Sequence, residues 1–199
     1  MQHFQTDIGI RDSAPAVSSG GVRLRRLRND DRQRMTGHLL ALSPEDRRMR
    51  FCGAIKDERI ARYVQGLDFA RAVIIGAFAD GQLCGIAELI PVPGEPGRAE
   101  LGVSVHPPWR NAGVGTRLLQ RALNLARNRF IAEVHLIFLP DNHSMRRLAQ
   151  KFGASLKGQR CEIEGWIRPE WPSGASMLEE LHANSEAFIL AAFRVGGDG

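Results

Sequence analysis

Between residues 99 and 119 the chain reads AELGVSVHPPWRNAGVGTRLL, and this stretch constrains the fold more than any other. Leu101, Val103 and Val105 alternate with Gly102 and Ser104 at the period of a half-buried strand. Pro107 and Pro108 have no N–H to give to a ladder, and Pro107 also holds His106 extended, so strand pairing must stop there. Two glycines, Gly113 and Gly115, then fall where an apolar helical period begins (Val114, Leu118, Ala122, Leu125). A helix start presents unpaired backbone N–H groups and the positive end of the helix dipole. Glycine lets a phosphate oxygen reach that backbone without meeting a Cβ. Strand, break and glycine-bearing helix tip together predict an anion cradle suited to a pyrophosphate.

Other phosphate loops fit poorly. A Walker loop needs Lys before Ser or Thr, and Val114-Gly115-Thr116 has none. A dinucleotide fingerprint needs three glycines and an acidic residue about 20 positions on. The plain alternative is a tight strand–helix turn of any α/β protein. A second segment bears on the choice. A compact apolar strand, Val134 to Leu139, is stopped by Pro140. Asp141 or Asn142 then caps a helix lined by Met145, Leu148, Ala149 and Phe152 and closed by Gly153. Arg-x-x-Gly-x-Gly from Arg110 to Gly115, after a proline-ended strand, resembles the acetyl-CoA loop of the GNAT superfamily of N-acetyltransferases. The strand–Asn–helix–Gly segment is similar to that superfamily's second motif.

The resemblance implies an α/β GNAT fold: a mixed, mostly antiparallel central sheet whose central strands splay, flanked by helices. Acetyl-CoA, as acyl donor, would lie in the slot. Its pantetheine arm would run along the strand of Val103, Ser104 and Val105. Its pyrophosphate would meet Arg110, Asn111, Ala112, Gly113, Val114, Gly115 and Thr116, aided by the charge of Arg110. Asn142, Met145 and Arg146 would contact the far wall of the arm or the adenosine phosphates. The prolines at 107–108 and 140 fit such a splay, since both strands lose their ladders at the same end.

Transfer to an amine requires the amine to be neutral. A lysine with pKa near 10.4 is neutral only about once in 10³ at pH 7, a handicap of roughly 4–5 kcal/mol that a general base offsets. Glu100, at the start of the central strand, is the candidate base; a surface carboxylate paired with Arg98 is the competing reading. His106, His135 and His143 are the rivals. The run from Leu42 to Phe51, with Ala99-Glu100, resembles bacterial GNAT-type protein lysine acetyltransferases, in which the Glu matching Glu100 acts as base. Many GNAT enzymes place an acidic Tyr four residues before the glycine that closes the second-motif helix. Here that position is Ala149, and Tyr63 is the only tyrosine.

Composition narrows the class. With 199 residues, 43% hydrophobic and 25% charged, the chain predicts one globular domain. We expect an arm over residues 1–20, a domain over 21–170 and a helical segment over 171–199 able to pack on a second copy. No apolar run approaches a membrane span and the N-terminus lacks a signal-peptide core, so a cytoplasmic protein without membrane contact is expected. Cys52, Cys84 and Cys161 suggest buried free thiols. With neither HExxH nor a Cys/His cluster, no metal site is expected. Nine of the 24 arginines lie between Arg23 and Arg50 alongside four acids. With little aromatic interleaving, that stretch predicts a solvated helix face rather than a nucleic-acid surface.

Along the chain, we expect a strand at Val22–Leu27, a helix capped at Asn29 or Asp30 and a second capped at Ser43 with Pro44 in its first turn. A helix capped at Asp57, a hairpin over 72–90 and a last strand or hairpin over 157–168 complete the outline. The functional expectation is acetyl transfer to a protein lysine. Two other outcomes stay open: a small-molecule amine acetyltransferase, and a non-catalytic module that senses CoA.

Overall fold

In a computed structural model of the protein, the described residues are 21–158 and 161–170, with Leu178 and Glu180. The predicted arm over 1–20 and most of the predicted helical segment over 171–199 lie outside them. Among the described residues, seven strands form one sheet in the order β1-β2-β3-β4-β5-β7-β6. They are β1 (Arg23–Arg26), β2 (Val73–Ala79), β3 (Gln82–Pro91), β4 (Arg98–Val105), β5 (Glu133–Phe138), β6 (Ser155–Gly158) and β7 (Ile163–Ile167). Every neighbouring pair is antiparallel except β4 and β5, which run parallel and are joined through helix α4 (Val114–Arg127). A parallel pair needs such a crossover, and the amphipathic run from Val114 supplies it.

The sheet has two unlike faces. Leu89, Ala99, Leu101, Val134, Leu136 and Phe138 point to one side. There they pack on α4 through Val114, Leu118, Leu119 and Ala122 and on Ala149 of α5 (His143–Lys151). Ile74 and Ile86 point to the other side, under α1 (Arg32–Leu40) and α3 (Asp57–Gly66), whose Met35, Leu39, Ile60 and Val64 are buried. Helix α2 (Pro44–Phe51) follows α1 on this side, capped by Ser43, whose hydroxyl accepts from the Asp46 N–H at 3.1 Å. The expected cap, Pro44 turn and hairpin are all found, the last with its turn at Asp80-Gly81.

Four expectations need correction. The arginine-rich stretch is not a solvated face, because most of its guanidinium groups turn inward. Arg25 grips the buried Asp31 through two hydrogen bonds of 2.6 and 2.7 Å, Arg47 reaches the Leu42 carbonyl, and Arg50 is held by a buried carboxylate. Of the thiols only Cys84 is buried; Cys52 is half-buried and Cys161 exposed. A short 3-10 turn, Asn29–Asp31, precedes α1, so Asp31 rather than Asn29 or Asp30 stands at its start. Asp57 is the first helical residue of α3 and pairs with Arg47 instead of capping.

Candidate active site

Strands β4 and β5 share only three register pairs: Arg98 with Glu133, Ala99 with Val134 and Glu100 with His135. Beyond Glu100, β4 continues to Val105 with no partner on that side. The His106 N–H donates to the Cys84 carbonyl of β3 at 2.9 Å. Because a strand's backbone groups alternate sides, those of Leu101, Val103 and Val105 therefore turn toward the gap. This gap is the slot, and its β4 edge is a row of backbone donors and acceptors. Ile137, just past the last pair on β5, is 40% exposed.

The slot leads to the tip of α4. After a 3-10 turn at Pro107–Trp109 the chain passes through Asn111 (φ 60°) and Gly113 (φ 77°), both left-handed, and α4 starts at Val114. No side chain caps this helix, whereas Ser43 caps α2 and Asn142 caps α5. Its first N–H groups thus face outward at the positive end of the helix dipole. A Cβ on Gly113 would meet nothing within 4 Å. One on Gly115 would make only ordinary contacts, with Leu148 of α5 at 3.8 Å and Val105 at 3.9 Å. The protein's own packing therefore leaves this tip open, which suits a diphosphate. Val114 is buried and Thr116 half-buried, while Asn111 and Ala112 are exposed.

The remaining candidates are distributed around this gap. Arg110 donates to the Val105 carbonyl at 2.9 Å and pairs with Asp46 of α2 at 2.7 Å. Asn142 accepts the Met145 N–H at 3.0 Å as the cap of α5, and Met145 packs into the apolar core beside it. Arg146 is half-buried on the same helix. Helix α2 spans the slot on the opposite face of the sheet. Besides Asp46 with Arg110, its Arg48 pairs with Asp141 ahead of α5, and Cys52 at its end donates to the Ile137 carbonyl at 3.7 Å.

Glu100 is exposed and its carboxylate bonds to no described residue. The expected competitor Arg98 is engaged by Glu95 and Glu133 instead. The register puts Glu100 on the α2 face of the sheet, in line with Gly102 and Ser104. Among the rivals, His106 faces the His38 carbonyl at 3.2 Å, His143 is the exposed first residue of α5, and His135 is stacked on Trp166 with ring centroids 5.3 Å apart.

Two buried polar groups on this face were missed by the sequence reading. Glu88 of β3, 1% exposed, accepts from Arg50 of α2 at 2.5 Å and from the Tyr63 hydroxyl of α3 at 2.5 Å. Burial alone would lower the Arg50 pKa, but Glu88 and Tyr63 outweigh it and raise it. Burial, reinforced by Glu88, pushes the Tyr63 hydroxyl up. The Arg50 guanidinium lies on Gly102, where a Cβ would collide with it. Farther along β4, Ser104 meets His38 Nε2 at 2.9 Å, and the His38 ring lies 4.3 Å from that of His106. Burial, with His106 adding to it, pushes the His38 pKa down to about 3. The signal for the first group is visible in hindsight: Glu88 is the one charge in the apolar run Leu83–Ile90, and a carboxylate there requires partners.

A strand slot with an open backbone edge, ending at an uncapped, glycine-lined helix tip, defines an acyltransferase that holds a coenzyme A thioester. The model of the acetyltransferase (GNAT) family matches residues 38–154, more than half of the chain, and the protein belongs to that family. It is an N-acetyltransferase that uses acetyl-CoA. Among curated proteins it is similar to the acetyltransferase PA5475 of Pseudomonas aeruginosa, 28% identical over 145 residues that cover 70% of this chain and 76% of the relative. Its fold is that of the GNAT domain of S. lividans PAT, with TM-score 0.64 and 21% identity, covering 74% of this chain and 90% of the other. The PaiA N-acetyltransferase of Thermoplasma acidophilum, solved with coenzyme A, shares it at TM-score 0.58 and 19% identity, covering 74% and 99%. Among the described residues no helix is long and apolar enough to cross a membrane, and no cluster of His, Cys, Asp or Glu could hold a metal ion.

Proposed function

We propose that the protein transfers acetyl directly from acetyl-CoA to a lysine of another protein, with Glu100 as general base. The observation that carries the reading is the position of Glu100: it is the last β4 residue paired with β5, at the root of the slot. Acetyl-CoA lies along β4, with its arm on the slot-facing backbone of Val103 and Val105 and Ser104 between them. Its pyrophosphate meets the N–H groups from Asn111 to Thr116. Asn142, Met145 and Arg146 stand on the far wall. Arg110 contributes charge at the mouth and exchanges Asp46 for phosphate as the coenzyme enters. Glu100 takes a proton from the acceptor ammonium, directly or through a water, and the neutral amine attacks the thioester carbonyl. A slot-facing amide of β4 stabilises the oxyanion. The C–S bond then breaks as the attacking nitrogen gives its second proton to water, and with Ala149 where an acidic Tyr commonly stands, CoA leaves as thiolate or is protonated by water. A thiol pKa near 8.5 makes this departure tolerable near neutral pH.

A lysine acceptor is supported by the likeness of Leu42–Phe51 to bacterial protein lysine acetyltransferases. The exposed carboxylate of Glu100 also suits a cationic acceptor. The test is mass spectrometry of a cell lysate incubated with the protein and isotope-labelled acetyl-CoA. Label on protein lysines is the expected result. Label confined to small amines would replace the lysine with a metabolite, and CoA binding without any transfer would reduce the protein to a sensor.

A further inference from the structure

The sheet face that carries Glu100 continues past it into a groove. One same-face step back along β4 stands Arg98, about 7 Å away at the rise of an extended strand. The register carries that row across the sheet. Arg98 pairs with Glu133 of β5, and Val134 pairs with Ile167 of β7, which brings Arg168 beside Glu133 just past the end of β7. Val134, Ile163 and Ile167 face the α4 core, so Glu133 and Trp166 fall on the side of Glu100. Arg98, Glu133, Phe152, Ser155, Trp166 and Arg168 line a groove of about 600 Å³. Trp166 is half-buried there and held by the ring of His135, which stacks on it with centroids 5.3 Å apart.

The two guanidinium groups of this groove are not equally occupied. Arg98 is engaged by Glu95 and, at 2.7 Å, by Glu133. Arg168 has, among the described residues, only a 3.9 Å approach to Glu133 Oε2, beyond hydrogen-bond reach, and its side chain is 84% exposed. A guanidinium offers a planar fork of N–H donors that matches a carboxylate. We propose that this groove receives the stretch of the acceptor protein beside the target lysine, and that Arg168 reads an acidic residue in that stretch. The proposal rests on a protein lysine as the acceptor. With the lysine ammonium at Glu100, the flanking chain crosses the groove. An extended chain advances about 3.3 Å per residue, so an Asp or Glu within about three positions of the lysine comes over Arg168. Trp166 gives that chain a flat surface to lie on. The formal net charge of +5 also favours an acidic partner surface. Carboxylate for ammonium at one end and guanidinium for acid at the other fix the register of the acceptor and disfavour a lysine flanked by arginine.

The test is steady-state CoA release by the full chain with three sets of lysyl peptides that differ only in the residues flanking the lysine: Asp and Glu, Asn and Gln, or Arg. Polyamines and aminoglycosides complete the acceptor panel. The unaltered protein is expected to favour the acidic set over the neutral one by about three- to tenfold in kcat/KM, and the arginine set should be slowest. Arg168→Glu is expected to reverse that order and Arg168→Gln to flatten it, with the acetyl-CoA KM and Tm unchanged in both. A reversal of preference is a readout that a merely structural role for Arg168 would not move, and either variant alone is enough to read it. Equal kcat/KM for the three sets in the unaltered protein, or the same order in Arg168→Glu as before, overturns the groove assignment and leaves the lysine acceptor standing. Turnover of polyamines or aminoglycosides with none of the peptides removes the lysine acceptor and the groove together.

Discussion

The two faces of the central sheet are built on different principles. Against α4 and α5 the sheet is sealed by a continuous apolar cluster, from Val73 and Ala77 through Leu101 to Leu136 and Ile163. Under α1, α2 and α3 the apolar cluster stops at β3, and the neighbouring positions carry Glu88, Gly102, Ser104, Glu100 and His135. The first face needs only volume and hydrophobicity, and tolerates exchange of one apolar residue for another of similar size. The second needs named partners at hydrogen-bond distance, because an unpaired buried charge is costly. Under the proposed function, the difference would separate holding the coenzyme from handling protons. The helix tip that suits the diphosphate grows out of the apolar side, and the titratable groups collect on the polar side.

The contrast is most open to attack at Arg50. Arg50→Ala leaves the Glu88 carboxylate buried without its cation and is expected to cost about 3–5 kcal/mol in urea denaturation. Replacing both partners by apolar residues (Arg50→Met with Glu88→Leu) should recover most of that loss. Equal losses in single and double variants would mean that the pair does not organise this face. Glu100→Gln sits on the same face but in solvent, so it should leave Tm unchanged. Its kcat/KM should fall by about a hundredfold, equivalent to about 2.7 kcal/mol of barrier, with CoA affinity intact.

A smaller effect separates the faces by pH. The His38 pKa is pushed down to about 3 in the folded protein against 6.5 for the free side chain. The unfolded chain then binds the proton first, so this contribution is present above pH 6.5 and fades as pH falls toward 3. Stability should drop by about 1.4 kcal/mol per pH unit below 6.5 from this group, and His38→Gln should flatten the slope. An unchanged slope would show that other groups carry it. Asp31 acts lower. Burial tends to raise its pKa, but hydrogen bonds from Arg25, Arg28 and Arg34 outweigh that and hold it at about 2. Its contribution, present above the ordinary carboxylate pKa near 3.8, is lost as pH falls through about 2.

The same division decided what could be read from the sequence. Alternation in Leu101–Val105, the proline stop, the apolar period from Val114 and the caps at Ser43 and Asn142 are local signals, and the structure has each of them where it was expected. The β6–β7 hairpin began two residues earlier than expected. Such ends depend on tertiary contacts rather than on pattern. The pairing of Glu88 with Arg50 and Tyr63, separated by 38 and 25 residues, has no local signature. Nor has the adjacency of Glu100 and His135, which follows only from the β4–β5 register. The arginine-rich stretch was misread for the same reason: composition records the charges but not that distant carboxylates and carbonyls turn them inward.

The claim on which the rest depends is that coenzyme A lies between β4 and β5 with its diphosphate on the tip of α4. Isothermal titration of CoA into the unaltered protein and into Gly115→Ala tests it most directly, because a Cβ at Gly115 meets only ordinary contacts within the protein. The expected result is a Tm close to that of the unaltered protein and CoA affinity lower by more than about tenfold, or about 1.4 kcal/mol. Equal affinity in the two proteins, or no heat of binding in either, would contradict the account.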